Sequence, residues 1–492
     1  MSLYILLVPI LLPIVVGVGM LLFPFRDDRK RNIFVEAMVL LTTAVSLWIL
    51  ICGPRGTLYL FSLGERLPMT LRVDGLAAFF GAIVSILWPL ATLYTFEYMR
   101  HEERVNTFLA FYTITYGVTM GVAFAGNIFS MYLFYETLTM VTLPLVMHTM
   151  TDAAKKATRK YLYYMIGGTA FAFIGMVYYA LFANNIEFVY GGNLAQSAFA
   201  SHPNVVYLVY VLTFFGFGVK AAIFPFHSWL PEASVAPTPV TALLHAVAVV
   251  KSGVFAVMRF TYFCFGPALL AGSWGQTVAL IFAMVTIVYA STMGVREPHL
   301  KRRLAYSTVS NLSYILLGVA VMSPLGLLAG MAHMLFHAVM KISGFFCAGA
   351  VMHQTGREYV YELDGLGKRL PLTFAALLIS GLSLAGLPLF SGFVGKWQIA
   401  RALFADAGPM ATAGVLVLLY SALMTAIYML TIVVRAFFPS PGSVDENALT
   451  GYTDPTWHML LPLAVFSIVT VLLGVWAGPV LSALGQVAQG LY

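Results

Sequence analysis

A chain of 492 residues that is 60% hydrophobic and 10% charged, with a mean hydropathy of +0.87, has too few polar residues to cover a soluble globule and belongs in a membrane. At about 20 apolar residues per helical crossing, the length accommodates more than a dozen crossings and leaves no room for a separate soluble domain. The net charge of +7, from 27 Lys and Arg against 20 Asp and Glu, points to nucleic acid only if the bases cluster on one exposed face.

Apolar runs broken by Gly, Pro, Asn or charge predict helices at 3–23, 33–53, 73–96, 107–125, 128–149, 161–183, 205–224, 239–262, 274–294, 304–323, 325–352, 371–395, 409–436 and 458–480. The reading is an all-α integral membrane protein of about 14 transmembrane helices, one transmembrane domain over 1–492. Membrane β-strands would alternate apolar and polar over about ten residues, so a barrel is excluded. The first run has no basic segment before it and is followed by Arg26, Arg29, Lys30 and Arg31, which reads as a retained first helix rather than a signal peptide.

Assigning the loops alternately to two sides puts the bases of 26–31, 100–104, 155–160, 296–303 and 357–369, with Arg435, together. The other side receives only Arg55, Arg66 and Arg72. By the positive-inside rule the basic loops are cytoplasmic and both termini outside, in a multi-pass protein of the inner (cell) membrane. The charge therefore reads as topology, with the lipid bilayer and no nucleic acid as partner. Cys52, Cys264 and Cys347 lie in or at the ends of apolar runs without a CxxC pair and read as small core residues. No dinucleotide, phosphate-loop or zinc signature appears, so the expectation is no cofactor, no metal and no redox catalysis in this chain.

The ionisable residues inside the runs carry the chemistry: Glu136 in the fifth, Lys220 in the seventh, His245 and Lys251 in the eighth, His333, His337 and Lys341 in the eleventh, and Lys396 at the twelfth. A charge at the centre of a spanning helix costs about 2.5–3.5 kcal/mol on insertion scales, so a set of them implies an ion path. Arg259 and Arg401 lie near predicted ends, where snorkelling is an alternative. Glu136 has Lys220 as its nearest opposite charge by organisation, and the pair reads as a charge switch. His333, His337 and Lys341, at i, i+4 and i+8, share one helix face and read as a proton relay.

Two helices look broken. Pro225, Pro231, Pro237 and Pro239 follow Lys220, and Gly386, Pro388, Ser391, Gly392 and Gly395 precede Lys396. Proline removes a helix hydrogen bond, and irregular backbone at membrane depth survives only inside protein or along a watery cavity. Paired interruptions bearing lysines are the pattern of a transporter built from repeats.

The strings KAAIFPFHSWLPEASVAPTPVTALLHAVAVVKSGVFAVMRF (220–260), KRRLAYSTVSNLSYILLG (301–318), HMLFHAVMKISGFFCAGAVMH (333–353) and LSLAGLPLFSGFVGKWQIA (382–400) resemble the antiporter-like subunits of respiratory complex I. The same family includes the large subunits of Mrp-type cation/proton antiporters and of membrane-bound nickel-iron hydrogenases. The similarity runs from about Asp74 to about Arg435. It implies a fourteen-helix core, with helices 1–3 at 3–96, two inverted five-helix repeats at about 107–262 and 274–436, each holding one broken helix (breaks at Pro225 and Pro388), and a final helix at 458–480. By position it makes Glu136 the family's fifth-helix glutamate, Lys220 its broken-helix lysine and Lys251 its eighth-helix lysine. His245 matches a histidine of some members, His337 and Lys341 the eleventh-helix relay, and Lys396 the second broken-helix site.

What the resemblance implies is a proton-translocating subunit of a complex I-like or hydrogenase-like redox-driven pump. Its partners would be further antiporter-like subunits, small membrane subunits and a redox arm. Because the chain ends just after the final helix, it reads as a middle-type subunit. The alternatives are a Mrp-type subunit exchanging Na⁺ for H⁺, and a mainly structural piece of a membrane arm.

Overall fold

The computed structural model describes residues 2–64, 66–440, 442 and 449–491; Met1 and Tyr492, the ends of the single domain read from the sequence, lie outside the described residues. In chain order come α1 (Leu3–Leu22), α2 (Asp28–Cys52), a hairpin of β1 (Thr57–Ser62) and β2 (Pro68–Arg72), α3 (Gly75–Tyr98), α4 (Val105–Phe124), α5 (Ile128–Val146), α6 (Asp152–Phe182) and α7 (Pro203–Gly218). After an irregular segment come α8 (Thr238–Phe265), α9 (Trp274–Arg296), α10 (Leu300–Ala320), α11 (Pro324–Thr355), α12 (Pro371–Ala385), α13 (Ser391–Asp406), α14 (Ala411–Phe437), α15 (Trp457–Val475) and α16 (Gly478–Ala488).

Among the described residues, 11 helices are long and apolar enough to cross a bilayer. Three spans read from the sequence fall on helices outside that set. The span 205–224 ends early as α7, and 371–395 divides into α12 and α13, because both meet irregular backbone. The span 304–323 becomes α10, long enough but carrying Arg303, Ser307, Ser310, Asn311 and Ser313. A polar helix of this kind is tolerated because its neighbours bury it.

Three helices begin earlier than the apolar runs indicate, and their caps explain why. Asp27 accepts from the amides of Arg29 and Lys30 at the start of α2, Thr151 from the amide of Ala154 at the start of α6, and the His299 ring from Lys301 at the start of α10. Each cap satisfies amides that lack a partner in the first turn, so Arg29–Arg31, Lys155–Lys160 and Lys301–Arg303 stand on helix rather than loop.

The hairpin, read from the sequence as loop, is stitched onto the start of α5: the Asn127 amide donates to the Pro68 carbonyl at 2.7 Å and to Thr70 Oγ1 at 2.9 Å. α1 and α4 pack backbone to backbone, since a Cβ on Gly117 would sit 2.3 Å from the Ile10 carbonyl oxygen. Close approach through small residues is how helices associate where lipid removes the hydrophobic drive. α16, separate from α15, is tied across the hairpin end by a hydrogen bond from the Tyr190 hydroxyl to the Ala488 carbonyl.

Arg259 is a correction to the snorkelling reading. It is 0% exposed and donates to both Asp74 oxygens at 2.6 Å, with the rings of Phe188, Phe255 and Phe263 around its guanidinium. Asp74 also caps α3 through the Ala77 amide at 2.9 Å, so one carboxylate joins the start of α3 to α8. Arg401, by contrast, is exposed.

Candidate functional site

Lys220 lies beyond the end of α7, not within it, in the irregular segment that also holds Pro225. Its ammonium donates to the Tyr135 carbonyl and sits 3.3 Å from the centroid of the Tyr135 ring, an arrangement in which ring and carbonyl replace water around the charge. The Tyr135 hydroxyl donates to the Phe217 carbonyl at 2.9 Å, which fixes that ring over the lysine. Trp229 Nε1 donates to the Val219 carbonyl at 2.9 Å, and the Phe224 amide to Thr286 Oγ1 at 3.0 Å. The irregular backbone is thus satisfied inside protein, as membrane depth requires. α8 closes over it at Gly253, where a Cβ would come within 2.7 Å of the Ala221 nitrogen and 2.9 Å of the Lys220 backbone carbon.

The expected Glu136–Lys220 ion pair is not formed: no contact within 4.0 Å joins them among the described residues, and Glu136 instead accepts from Thr169 Oγ1 at 2.5 Å. Successive residues of a helix point about 100° apart, so with Tyr135 turned inward to Lys220, Glu136 stands half-buried on the outer side of α5 toward α6.

Lys251, wholly buried on α8, meets Nδ1 of His337 on α11 through its ammonium. Two π-helical turns, Leu243–Val247 and Phe260–Phe265, flank it; such turns recur at functional sites because they rotate one helix face against the next. His245 lies in the first of them. Its ring packs 4.7 Å from that of Phe345, and neither ring nitrogen has a protein partner, so it is near the line without joining it.

On α11 the rings of His333 and His337 are 6.2 Å apart and nearly parallel, as the i, i+4 spacing requires. Lys341, one turn on, donates to Ser307 Oγ on α10. His333 Nε2 is 3.0 Å from Asn311 Oδ1. Lys396 stands on α13, after the interruption that contains Pro388, and donates back across it to the carbonyls of Leu384 and Ala385 at 2.8 and 3.0 Å. Those are among the last carbonyls of α12, which have no helical partner and carry the negative end of its dipole. The Tyr314 ring lies 5.2 Å from the Lys396 ammonium and 5.3 Å from the His333 ring.

Lys251 and His337 are therefore joined directly and His333 stacks beside them. Lys341 is one helix turn away, Lys220 is adjacent through Gly253, and Lys396 is reached past Tyr314. Sequence reading missed the facing wall: Ser307, Asn311 and Tyr314, at i, i+4 and i+7 on α10, meet Lys341, His333 and Lys396 in turn. Their spacing in KRRLAYSTVSNLSYILLG was the available signal. Elsewhere, a cavity of about 810 Å³ opens at the hairpin end, lined by Tyr59, Arg66, Glu187 and His202 among others, away from the lysines. Among the described residues no three His, Cys, Asp or Glu converge as metal ligands.

A bundle of membrane helices with two lysine-bearing interruptions and a buried row of lysines and histidines between them defines a polytopic subunit of the ion-translocating class. A family model described as "NADH:quinone oxidoreductase/Mrp antiporter, TM" matches residues 125–435, and the chain belongs to this family. It is 31% identical over 438 residues to NADH-quinone oxidoreductase subunit N of Desulforudis audaxviator, covering 85% of this chain and 84% of that protein. It is 30% identical over 419 residues to the A/B subunit of a probable K(+)/H(+) antiporter of Rhizobium meliloti, and 31% over 432 residues to the large A-type subunit of a Na(+)/H(+) antiporter of Alkalihalophilus pseudofirmus. Those matches cover 83% and 82% of this chain but only 40% and 52% of the antiporter proteins.

The fold is that of a chain in the membrane-bound sulfane sulfur reductase, an archaeal respiratory membrane complex (TM-score 0.85, 23% identity, 98% of this chain and 97% of that one). A chain of the Mrp complex from a Dietzia species (0.83, 21%, 100% and 98%) and one of respiratory complex I from Thermus thermophilus (0.81, 22%, 99% and 98%) share it.

Proposed function

We propose that this chain is a proton-translocating, antiporter-like membrane subunit of a redox-driven complex. The observation that carries the reading is the direct contact of Lys251 with His337 at the centre of a buried row, where nothing but ion movement accounts for the cost of desolvating so many basic groups. Protons pass between Lys220, Lys251, His337 with Lys341, His333 and Lys396, bridged by water where side chains do not meet, and His245 borders the row. Glu136, half-buried beside Thr169, gives a neighbouring subunit's charge access to the Lys220 end. The interruptions at Pro225 and Pro388 belong to two inverted repeats, about 107–262 and 274–436, within fourteen crossings.

The subunit works in an inner membrane with its basic loops cytoplasmic and both termini outside. Further antiporter-like subunits, small membrane subunits and a redox arm assemble with it, and the chain itself holds no redox centre. The relative named as a quinone oxidoreductase subunit, matched over most of its length, supports this assignment. The antiporter relatives support a second reading, exchange of Na⁺ for H⁺, which sodium-dependent pH changes in inverted vesicles would reveal.

Lys220→Ala tests the first reading. In inverted vesicles containing the assembled complex, pumping should be abolished; unchanged pumping with normal assembly contradicts it.

A further inference from the structure

Asn311 is wholly buried on α10 and uses both ends of its amide. Nδ2 lies 2.7 Å from the Ser307 carbonyl oxygen, which can only accept. Reversing the amide would set two acceptors against each other at that distance, so Oδ1 must be the atom facing His333 Nε2 at 3.0 Å. An amide oxygen only accepts, hence Nε2 of His333 carries hydrogen whether the ring is neutral or protonated.

The other ring nitrogen, Nδ1, is buried and has no protein partner. It faces α13: a Cβ on Gly395 would sit 2.5 Å from it, and the next residue of α13 is Lys396. Tyr314 packs against both the His333 ring and the Lys396 ammonium, so α10 holds the two groups on either side of one aromatic ring.

Resting on the relay reading above, we propose that Asn311 is a positioning residue: it fixes His333 as the Nε2–H tautomer, so the ring gains and loses its proton only at Nδ1, on the side of Lys396. Gly395 keeps that nitrogen uncovered. Exchange is thereby directed across α13 rather than sideways into α10, and the proton that arrives at Nδ1 leaves from Nδ1, with no net change in the ring.

The test uses the full chain in its membrane complex, with ¹⁵N-labelled histidine and the His333 signals assigned by difference from His333→Gln. Wild type should show a protonated Nε2 and an unprotonated Nδ1. Asn311→Leu, which removes the acceptor, should give mixed tautomers and a loss of proton transport of about fivefold or more. Asn311→Asp should restore both, because an aspartate, or a protonated aspartic acid donating to the Ser307 carbonyl, still turns an acceptor to Nε2.

Wild-type tautomer signals in Asn311→Leu overturn the proposal whether transport falls or not, since a fall without a tautomer change is a structural effect. Full transport by assembled Asn311→Leu overturns it as well. Lys220→Ala in the same assay separates the two levels: if it blocks transport while Asn311→Leu does not, only the tautomer proposal fails; if Lys220→Ala transports normally, the relay reading itself fails.

Discussion

Lys251 and His337, 86 residues apart in the chain, meet ammonium to Nδ1 in the middle of the bundle. Neither residue has measurable exposure, and no carboxylate forms an ion pair with Lys251 among the described residues. A basic group that faces another basic group, rather than an acid, is poorly suited to cementing a fold. It is well suited to sharing a proton, and several variants separate the two roles.

Lys341 donates to Ser307 and otherwise has the Phe345 ring 5.3 Å from its ammonium. Replacing a lone buried ammonium by an apolar chain of similar length removes a desolvation cost of about 2.5–3.5 kcal/mol on insertion scales. Lys341→Met should therefore assemble normally, melt at the same or a higher temperature, and lose proton transport roughly tenfold or more. A lower melting temperature with normal transport would make Lys341 a structural residue.

The Asp74–Arg259 pair behaves in the opposite way. Asp74→Ala leaves a guanidinium buried among phenylalanines and should destabilise the protein by about 3–5 kcal/mol, whereas Asp74→Leu combined with Arg259→Met should cost much less than either single change. Burial alone would push the Asp74 carboxyl up, but the charge and hydrogen bonds of Arg259, the Ala77 amide and Arg72 outweigh it and hold the carboxyl below its ordinary value of 3.8. A lowered folded value means that the stabilisation is complete above the unfolded value and lost as pH falls through the folded one. Thermal melting from pH 6 down to about 3 should show this acid-sensitive component in the wild type and not in the double variant.

Glycines at the interruptions should respond differently from a glycine on the lipid side. Gly386 has φ of +89°, and a Cβ there would lie 3.0 Å from Lys396 Cδ. Gly386→Ala should cost about 1–2 kcal/mol of backbone strain and also slow transport. Gly167 on α6 faces open space, with nothing within 4 Å of where a Cβ would stand, so Gly167→Ala should stabilise the helix by about 0.5–1 kcal/mol and leave transport alone. Melting temperatures and vesicle transport of the two variants, measured side by side, check the contrast.

The proposed sidedness is open to direct labelling. Lys156→Cys and Asn184→Cys lie at exposed positions near opposite ends of α6. In a background without Cys52, Cys264 and Cys347, a membrane-impermeant maleimide should label Asn184→Cys in intact cells and Lys156→Cys only in inverted vesicles. The reverse pattern would invert the topology.

Much of this architecture was legible from the chain because lipid imposes a simple code. Long apolar runs mark helices, and the rare Lys220, Lys251, Lys341 and Lys396 announce themselves by cost. Proline and glycine clusters mark the interruptions. What escaped the reading depends on direction rather than composition. Tyr135 and Glu136 are neighbours in sequence, yet only the first faces Lys220, and nothing in the string YETLTM gives that rotation. The α10 wall of Ser307, Asn311 and Tyr314 hid among small polar residues that are unremarkable until α11 is packed against them. Arg259 seemed near enough to a helix end to reach water, because its partner Asp74 is 185 residues away in sequence.

The central claim, that the buried row carries protons, turns most directly on Lys251. The decisive measurement is acidification of inverted membrane vesicles, followed with a pH-sensitive dye, by the complex carrying Lys251→Met at wild-type abundance with its electron transfer assayed in parallel. The account predicts that acidification falls to a small fraction of the wild-type rate while the complex remains assembled. Acidification at the full wild-type rate would contradict it.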